Sequence, residues 1–241
     1  MKTTNFINSE ISRLPQSTIF TYKDFIKEGN SREATIKALN RKVVSGEIAK
    51  IAKGKFYVPQ QSIFGVLKPN EEEMIKDLLE ENGEIVGYLT GLSMYNRLGL
   101  TTQVSAVTVI GKNEVRPAFK RGYLRIHFIK QKNKITKDNV QLLQILDAIR
   151  YVKEIPDADI DFLCNRFLSI LKNIPKDFQS KMVELAILYP PATRALLGAL
   201  LDELGAIDLT ELLYKSLNPI TVYKLPRASK VLSNTQKWNI K

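Results

Sequence analysis

The stretch GEIAKIAKGKFYVP, Gly46 to Pro59, admits few conformations. Two short apolar runs, Ile48 to Ala52 and Phe56 to Val58, flank Lys53 and Gly54, a pairing that predicts a β-hairpin ended by Pro59. Directly before it, Ser31 can cap a helix through about Val44, its hydroxyl accepting an orphan N–H of the first turn while Glu33 complements the dipole. Upstream, Phe6, Ile7, Ile11 and Leu14 are spaced for a first helix closed by Pro15. TIFTY is a short β-prone link, and YKDFIKEG supplies about two helical turns stopped at Gly29. Three short helices and a two-stranded hairpin within residues 1–60 predict a winged helix-turn-helix.

The remainder reads as a second unit. At 241 residues and 44% hydrophobic, the chain can bury more core than one small domain needs. Residues 61–69 read as a linker and 70–241 as a larger mixed domain, an α+β fold overall. A helix over Met74, Leu78 and Leu79 has the acidic first turn Glu71 to Glu73. IVGYLTGLSMYNRLGL reads as helical from Leu89 to Leu98, and SAVTVI and GYLRIHFI read as strands. Four amphipathic helices follow, in VQLLQILDAIRYV, IDFLCNRFLSIL, QSKMVELAILY and PATRALLGALLDEL, punctuated by Pro156, Pro175, Pro190 and Pro191. The closing ITVYKLPRASKVLSNTQKWNIK predicts one more strand and a polar tail.

Charge narrows the partners. The formal net charge is +11, which favours an anionic partner. Its distribution is uneven: residues 1–60 carry eleven basic against five acidic side chains, so over half of the excess sits in the first quarter. No run approaches about 18 apolar residues, and MKTTNFINSE lacks the basic start and apolar stretch of an export signal, so a cytoplasmic, non-membrane protein is expected. The one cysteine, Cys164, lies among apolar residues at helical spacing and reads as an inert core thiol.

On a helical wheel of about 100° per residue, Ile36, Leu39 and Val43 cluster and should face the core. Ala34, Lys37, Ala38, Arg41 and Ser45 then lie opposite, small residues letting the backbone approach a major groove while basic ones reach phosphates or guanine edges. Arg32 and Thr35 flank this face near the N-terminus. Lys50, Lys53 and Lys55 on the hairpin would displace condensed counterions along the sugar-phosphate backbone. Lysines also blunt an exposed sheet edge, but that explains the hairpin without the basic helix beside it. The candidate DNA-binding residues are therefore Ser31, Arg32, Thr35, Lys37, Arg41, Lys50, Lys53 and Lys55, with double-stranded DNA as the partner.

Catalytic signatures are sparse. His127 is the single histidine, which excludes a multi-histidine metal site, and it shares a strand face with Tyr123 and Arg125 opposite Leu124, Ile126 and Phe128. PDADIDF spaces Asp157, Asp159 and Asp161 at alternate positions, which on a strand could ligate Mg²⁺; preceding an amphipathic helix, they read more simply as cap and dipole residues. GYLTG has neither the lysine nor the spacing of a phosphate loop. The expectation is a non-enzymatic protein with no cofactor, no metal and no catalytic residue. The alternative is an enzyme acting on nucleic acid or nucleotides, with the basic N-terminal domain delivering substrate.

ALNRKVVSGEIAKIAKGKFYVP, then EIVGYLTGLSMYNRLGLTTQVSAVTVI, the strand GYLRIHFI and the close ITVYKLPRASKVLSNTQKWNI resemble the AbiEi-like antitoxins of type IV toxin-antitoxin systems. That resemblance implies an abortive-infection antitoxin whose winged helix represses its own operon, with Arg32, Thr35, Lys37, Arg41, Lys53 and Lys55 on operator DNA. It also implies a C-terminal domain, including Tyr88 to Gln103, that counters a nucleotidyltransferase-like toxin without a stable complex. Arg97, Arg116, Lys120, Arg121 and Arg125 form a second candidate surface. Winged-helix regulators often pair on inverted repeats, but no leucine heptad here fixes a dimer.

Overall fold

A computed structural model describes residues 3–26, 31–63 and 65–241. The protein is α+β and divides into two compact units, residues 1–78 with 119–125, and residues 79–118 with 126–241.

The first unit opens with helix α1 (Thr3–Ile11), strand β1 (Ile19–Thr21) and a 3-10 turn (Tyr22–Phe25). Thr21 and Asp24 cap that turn reciprocally, and Ile26 leaves it extended, so the expected two-turn helix is a single turn as far as Phe25; Gly29 lies outside the described residues. Helix α2 (Arg32–Val44) and strands β2 (Ala49–Ala52) and β3 (Lys55–Tyr57) follow. The strands pair in the order β1-β3-β2, all antiparallel, with Phe20 opposite Phe56. This is the predicted winged helix-turn-helix topology. Its core joins Ile7, Phe20, Phe25, Leu39, Ile48 and Phe56, with the Phe20 ring 5.3 Å from Phe25 and 6.1 Å from Phe56.

Residues 61–69 are more structured than a linker. Strands β4 (Gln60–Ser62) and β5 (Gly65–Leu67) form a hairpin before helix α3 (Glu71–Leu79), which carries the expected acidic first turn. Helix α3 belongs to the first unit, where Ile19 N–H donates to Glu73 Oε1 at 3.2 Å and Met74 and Ile75 are fully buried. Residues 119–125, with strand β10 below, join the same unit through Arg121, which donates to the Met74 carbonyl and to Asp77, each at 2.5 Å. Sequence reading missed this return because it rests on contacts between residues far apart in the chain.

In the second unit β6 (Glu80–Glu81) and β7 (Glu84–Ile85) form a small hairpin, followed by β8 (Gly87–Thr90) and helix α4 (Leu92–Arg97). Leu89 and Thr90 are therefore strand, not helix. Gly91 separates the two elements at φ 73° and ψ −157°, a conformation open to glycine, and a Cβ there would meet Val109 at 2.9 Å. Strand β8 pairs antiparallel with β9 (Thr108–Lys112). Strands β10 (Phe119–Arg121) and β11 (Leu124–Lys130) follow, and β11 pairs in parallel with β9. Along β11, Leu124 and Ile126 are buried while Arg125 and His127 are exposed, the alternation the sequence predicts.

Helices α5 (Lys137–Arg150), α6 (Ile160–Lys172), α7 (Lys176–Ala186) and α8 (Pro191–Glu203) match the four expected runs, and α9 (Ile207–Lys215) is an additional one. The C-terminal segment is not a polar tail. Trp238, Leu232 and Ile240 are buried, and Trp238 lies so close over Gly198 that a Cβ there would fall 2.1 Å from its ring. The indole N–H donates to Asp202 at 2.9 Å. In place of the predicted strand there is an isolated bridge between Tyr223 and Ile240. Cys164 is buried within the helical core, where burial pushes its thiol up to about 12, as suits an unreactive side chain. No described helix is long and apolar enough to cross a membrane.

Candidate nucleic-acid interface

Helix α2 begins as the sequence predicts, with Ser31 Oγ accepting from Ala34 N–H at 3.1 Å. Its rotation differs. The buried face is Thr35, Ala38, Leu39 and Lys42, whereas Arg32, Glu33, Lys37, Asn40, Arg41 and Val44 are exposed. The apolar pattern alone misses this phase because two polar residues bury with their polar atoms satisfied. Thr35 is fully buried and its hydroxyl donates to the Ser31 carbonyl at 3.1 Å; Lys42 is mostly buried and bonded to Glu47. That bond, with a second from Ser45, holds the Glu47 carboxyl below its ordinary range.

Two candidate residues are therefore corrected. Thr35 does not reach the surface; it braces the first turn. Lys55, on β3, is 18% exposed in its side chain and lies 2.5 Å from Asp77 Oδ2, so it is engaged inside the first unit. Ala38 likewise moves from the outer face to the core, where its small side chain lets α2 pack closely. Asp77 holds Arg121 as well, which is 4% exposed, so Arg121 is no part of a basic surface. Burial raises the Asp77 carboxyl, but the hydrogen bonds from Arg121 and Lys55 outweigh it and the net shift is downward.

What remains forms a coherent cationic set. Lys37 and Arg41 lie one turn apart on the outer face of α2 with Asn40 between them, an adenine-reading side chain type that sequence reasoning passed over. Arg32 stacks 5.1 Å from the Tyr22 ring centroid, which holds its guanidinium at the helix N-terminus. Exposed Lys50 lies on β2 and exposed Lys53 at the hairpin turn, where Gly54 adopts φ 73°. The arrangement offers bidentate and amide donors on a helix and point charges on a hairpin, the donor types that read base edges and neutralise phosphates.

The carboxylates of PDADIDF do not converge. Asp157 accepts from Gln103 Nε2 at 2.6 Å, while Asp159 and Asp161 both pair with Arg227, at 2.7 and 3.1 Å. Asp159 is the N-cap residue of α6 by position, without a side-chain cap hydrogen bond. Among the described residues no group of three His, Cys, Asp or Glu side chains is placed to hold a metal ion.

A buried polar network in the second unit escaped sequence reading altogether. Asp147, 1% exposed on α5, accepts from Tyr88 at 2.8 Å, Thr90 at 3.0 Å and Tyr189 at 2.9 Å. Gln131 donates to both tyrosine hydroxyls, at 2.8 and 2.7 Å, and accepts from the Asn133 side chain and backbone. Burial pushes the Asp147 carboxyl up to about 6, against hydrogen bonds from Tyr88, Tyr189 and Thr90 and the charge of Arg150. Gly111 makes room for it: a Cβ there would come 2.4 Å from the Tyr88 ring. The signal in the sequence was an acid on the apolar face of α5 with two tyrosines in other apolar runs, which only the fold assembles.

A sequence profile described as a family of unknown function, DUF6088, matches residues 6–179, more than half of the chain. The chain belongs to that family. No curated protein matches it. Among solved structures, this DUF6088 protein is similar to the crystal structure of the RV2827C protein from Mycobacterium tuberculosis, at a TM-score of 0.58 and 12% identity. The match covers 100% of this chain and 91% of that one, and at such identity it is a likeness of fold.

Proposed function

We propose that this protein is a sequence-specific DNA-binding transcriptional repressor and the antitoxin of a type IV toxin-antitoxin system. It autoregulates its operon and counters a nucleotidyltransferase-like toxin. The observation that carries the DNA-binding reading is the joint exposure of Lys37, Asn40 and Arg41 on α2, with Arg32 at the helix start and Lys50 and Lys53 on the adjoining hairpin. In a winged helix, such a helix reads the major groove while the hairpin follows the backbone. The antitoxin role rests on the resemblance of the sequence segments to AbiEi-like proteins.

Five cations, Arg32, Lys37, Arg41, Lys50 and Lys53, give a salt slope of roughly −4.5 per bound domain if each meets a phosphate. The test is fluorescence anisotropy with DNA from upstream of the protein's own gene and with scrambled DNA. Arg41→Ala should lose about 1–3 kcal/mol on the specific site and little on the scrambled one, whereas Lys53→Ala should weaken both about equally. Unchanged affinity in a Lys37→Ala, Arg41→Ala, Lys53→Ala triple variant would sink the assignment. Coexpression with a neighbouring nucleotidyltransferase-like gene tests the second half: loss of growth rescue when this gene is deleted supports it, and growth independent of this gene rejects it.

A further inference from the structure

A groove of about 420 Å³ in the second unit combines basic side chains with an apolar wall. Lys130 ends β11, Lys132 follows two residues on, Arg150 ends α5 and Arg194 lies in the first turn of α8, and no acidic side chain lines the groove beside these four. Lys130, Lys132 and Arg150 are exposed, and among the described residues none of them makes a salt bridge. Asp147 is buried and bonded to Tyr189, a residue of the groove lining. Glu154 lines a neighbouring groove that shares Arg150.

Two further features adjoin the groove. Arg194 donates from Nη1 to the Ser216 carbonyl at 2.9 Å, yet its Nε is buried without a partner among the described residues. The N-terminus of α8, a helix of 13 residues, lies at the same groove; its Thr193 and Arg194 N–H groups are bonded to the Pro190 carbonyl, so it offers the groove chiefly its dipole. The helix dipole there adds to the cations. Beside them, Leu188, Pro190 and Pro191 are exposed and present an apolar surface.

We propose that this groove binds a nucleotide, its phosphate held by Lys130, Lys132 and Arg150 and its base laid against Leu188, Pro190 and Pro191. Three exposed cations without a lining acid select an anion, and the adjoining apolar wall selects one that carries a planar ring. The volume falls within the range of about 300–1,000 Å³ typical of small-molecule sites. The same chemistry is supplied by a free nucleotide or by the end of a single-stranded nucleic acid. This site is separate from α2 and its hairpin, and it stands or falls independently of the proposed DNA contact.

The experiment is calorimetric titration of the full chain, in a background with Arg32, Lys37, Arg41, Lys50 and Lys53 all replaced by alanine, so that the proposed DNA contact of the first unit is removed. The titrants are AMP, adenosine, inorganic phosphate and a short 5′-phosphorylated oligoribonucleotide. AMP is expected to bind saturably, adenosine to bind at least about tenfold more weakly, and phosphate alone to fall between them. An oligoribonucleotide binding more tightly than AMP identifies a strand end as the source, and equal binding identifies a free nucleotide. Adding Lys130→Ala and Lys132→Ala should weaken AMP about tenfold or more, while Lys130→Arg with Lys132→Arg should retain it; thermal melts by circular dichroism check that both fold. No saturable binding of AMP or the oligoribonucleotide, or equal binding by the alanine variant, overturns the proposal.

Discussion

Asp77 in the first unit and Asp147 in the second both take part in interior polar contacts, yet they are stabilised by opposite means. Asp77 meets two cations, Lys55 and Arg121, and its carboxyl is held below the ordinary range. Asp147 meets three neutral hydroxyls and is pushed up to about 6, burial being the larger influence. Hydroxyl donors solvate a buried carboxylate incompletely; opposite charges at a half-exposed site compensate it. The first unit therefore draws part of its basic surplus inward, and the difference decides which of its lysines face outward.

The largest effect should come from Asp147→Ala, which removes the carboxylate acceptor of the Tyr88, Thr90 and Tyr189 hydroxyls and is expected to destabilise by roughly 3 kcal/mol. Trp238, the single tryptophan, is buried in the second unit, so its fluorescence in a urea titration reads this loss directly. An unchanged midpoint would mean that the network contributes nothing.

The two acids should also respond to pH with opposite sign. Asp147 carries a raised pKa, so its contribution, roughly 3 kcal/mol, is present below the unfolded value of about 4 and is lost as pH rises through about 6. Asp77 carries a lowered pKa, so its contribution is present above about 4 and is lost as pH falls through its folded value. The difference in stability between wild type and Asp147→Asn should therefore drift in one direction from pH 4 to 6, and that for Asp77→Asn should change chiefly below pH 4. Parallel drifts would erase the distinction.

Asp77→Ala leaves Arg121 without its ion-pair partner and frees Lys55. Because the Asp77 side chain is 44% exposed, the expected cost is discounted to about 1.5 kcal/mol and should shrink in high salt. Its effect should be larger in far-UV circular dichroism than in Trp238 fluorescence, since the pair lies in the first unit. The smallest effect should be that of Thr35→Val, about 1 kcal/mol or less, from loss of one hydroxyl-to-carbonyl bond. DNA affinity should not change with it; a tenfold loss there would return Thr35 to the interface.

The winged-helix topology was legible because each of its signals is local: Ser31 caps, Gly54 turns, and Leu39 and Val43 recur at helical spacing toward the core. The facing of α2 was legible only in part. Lys37 and Arg41 point outward as expected, but Thr35 and Lys42 fill inward places that hydropathy assigns to other residues. At Leu89 and Thr90 the helical pattern misled, because Gly91 and the pairing with β9 outweigh the propensity of a short apolar run.

By itself the sequence determined the α+β class, the helix–hairpin order of the first 60 residues, the concentration of basic charge there and four of the helices that follow. Those rest on periodicity, caps and turns, which act over a few residues. Tertiary structure alone decided that Asp77 would claim Lys55 and Arg121, that Trp238 would close on Gly198, and that Tyr88, Thr90, Gln131 and Tyr189 would meet around Asp147. Each of these contacts spans tens of residues, and the burial that sets its strength exists only once distant segments have packed together.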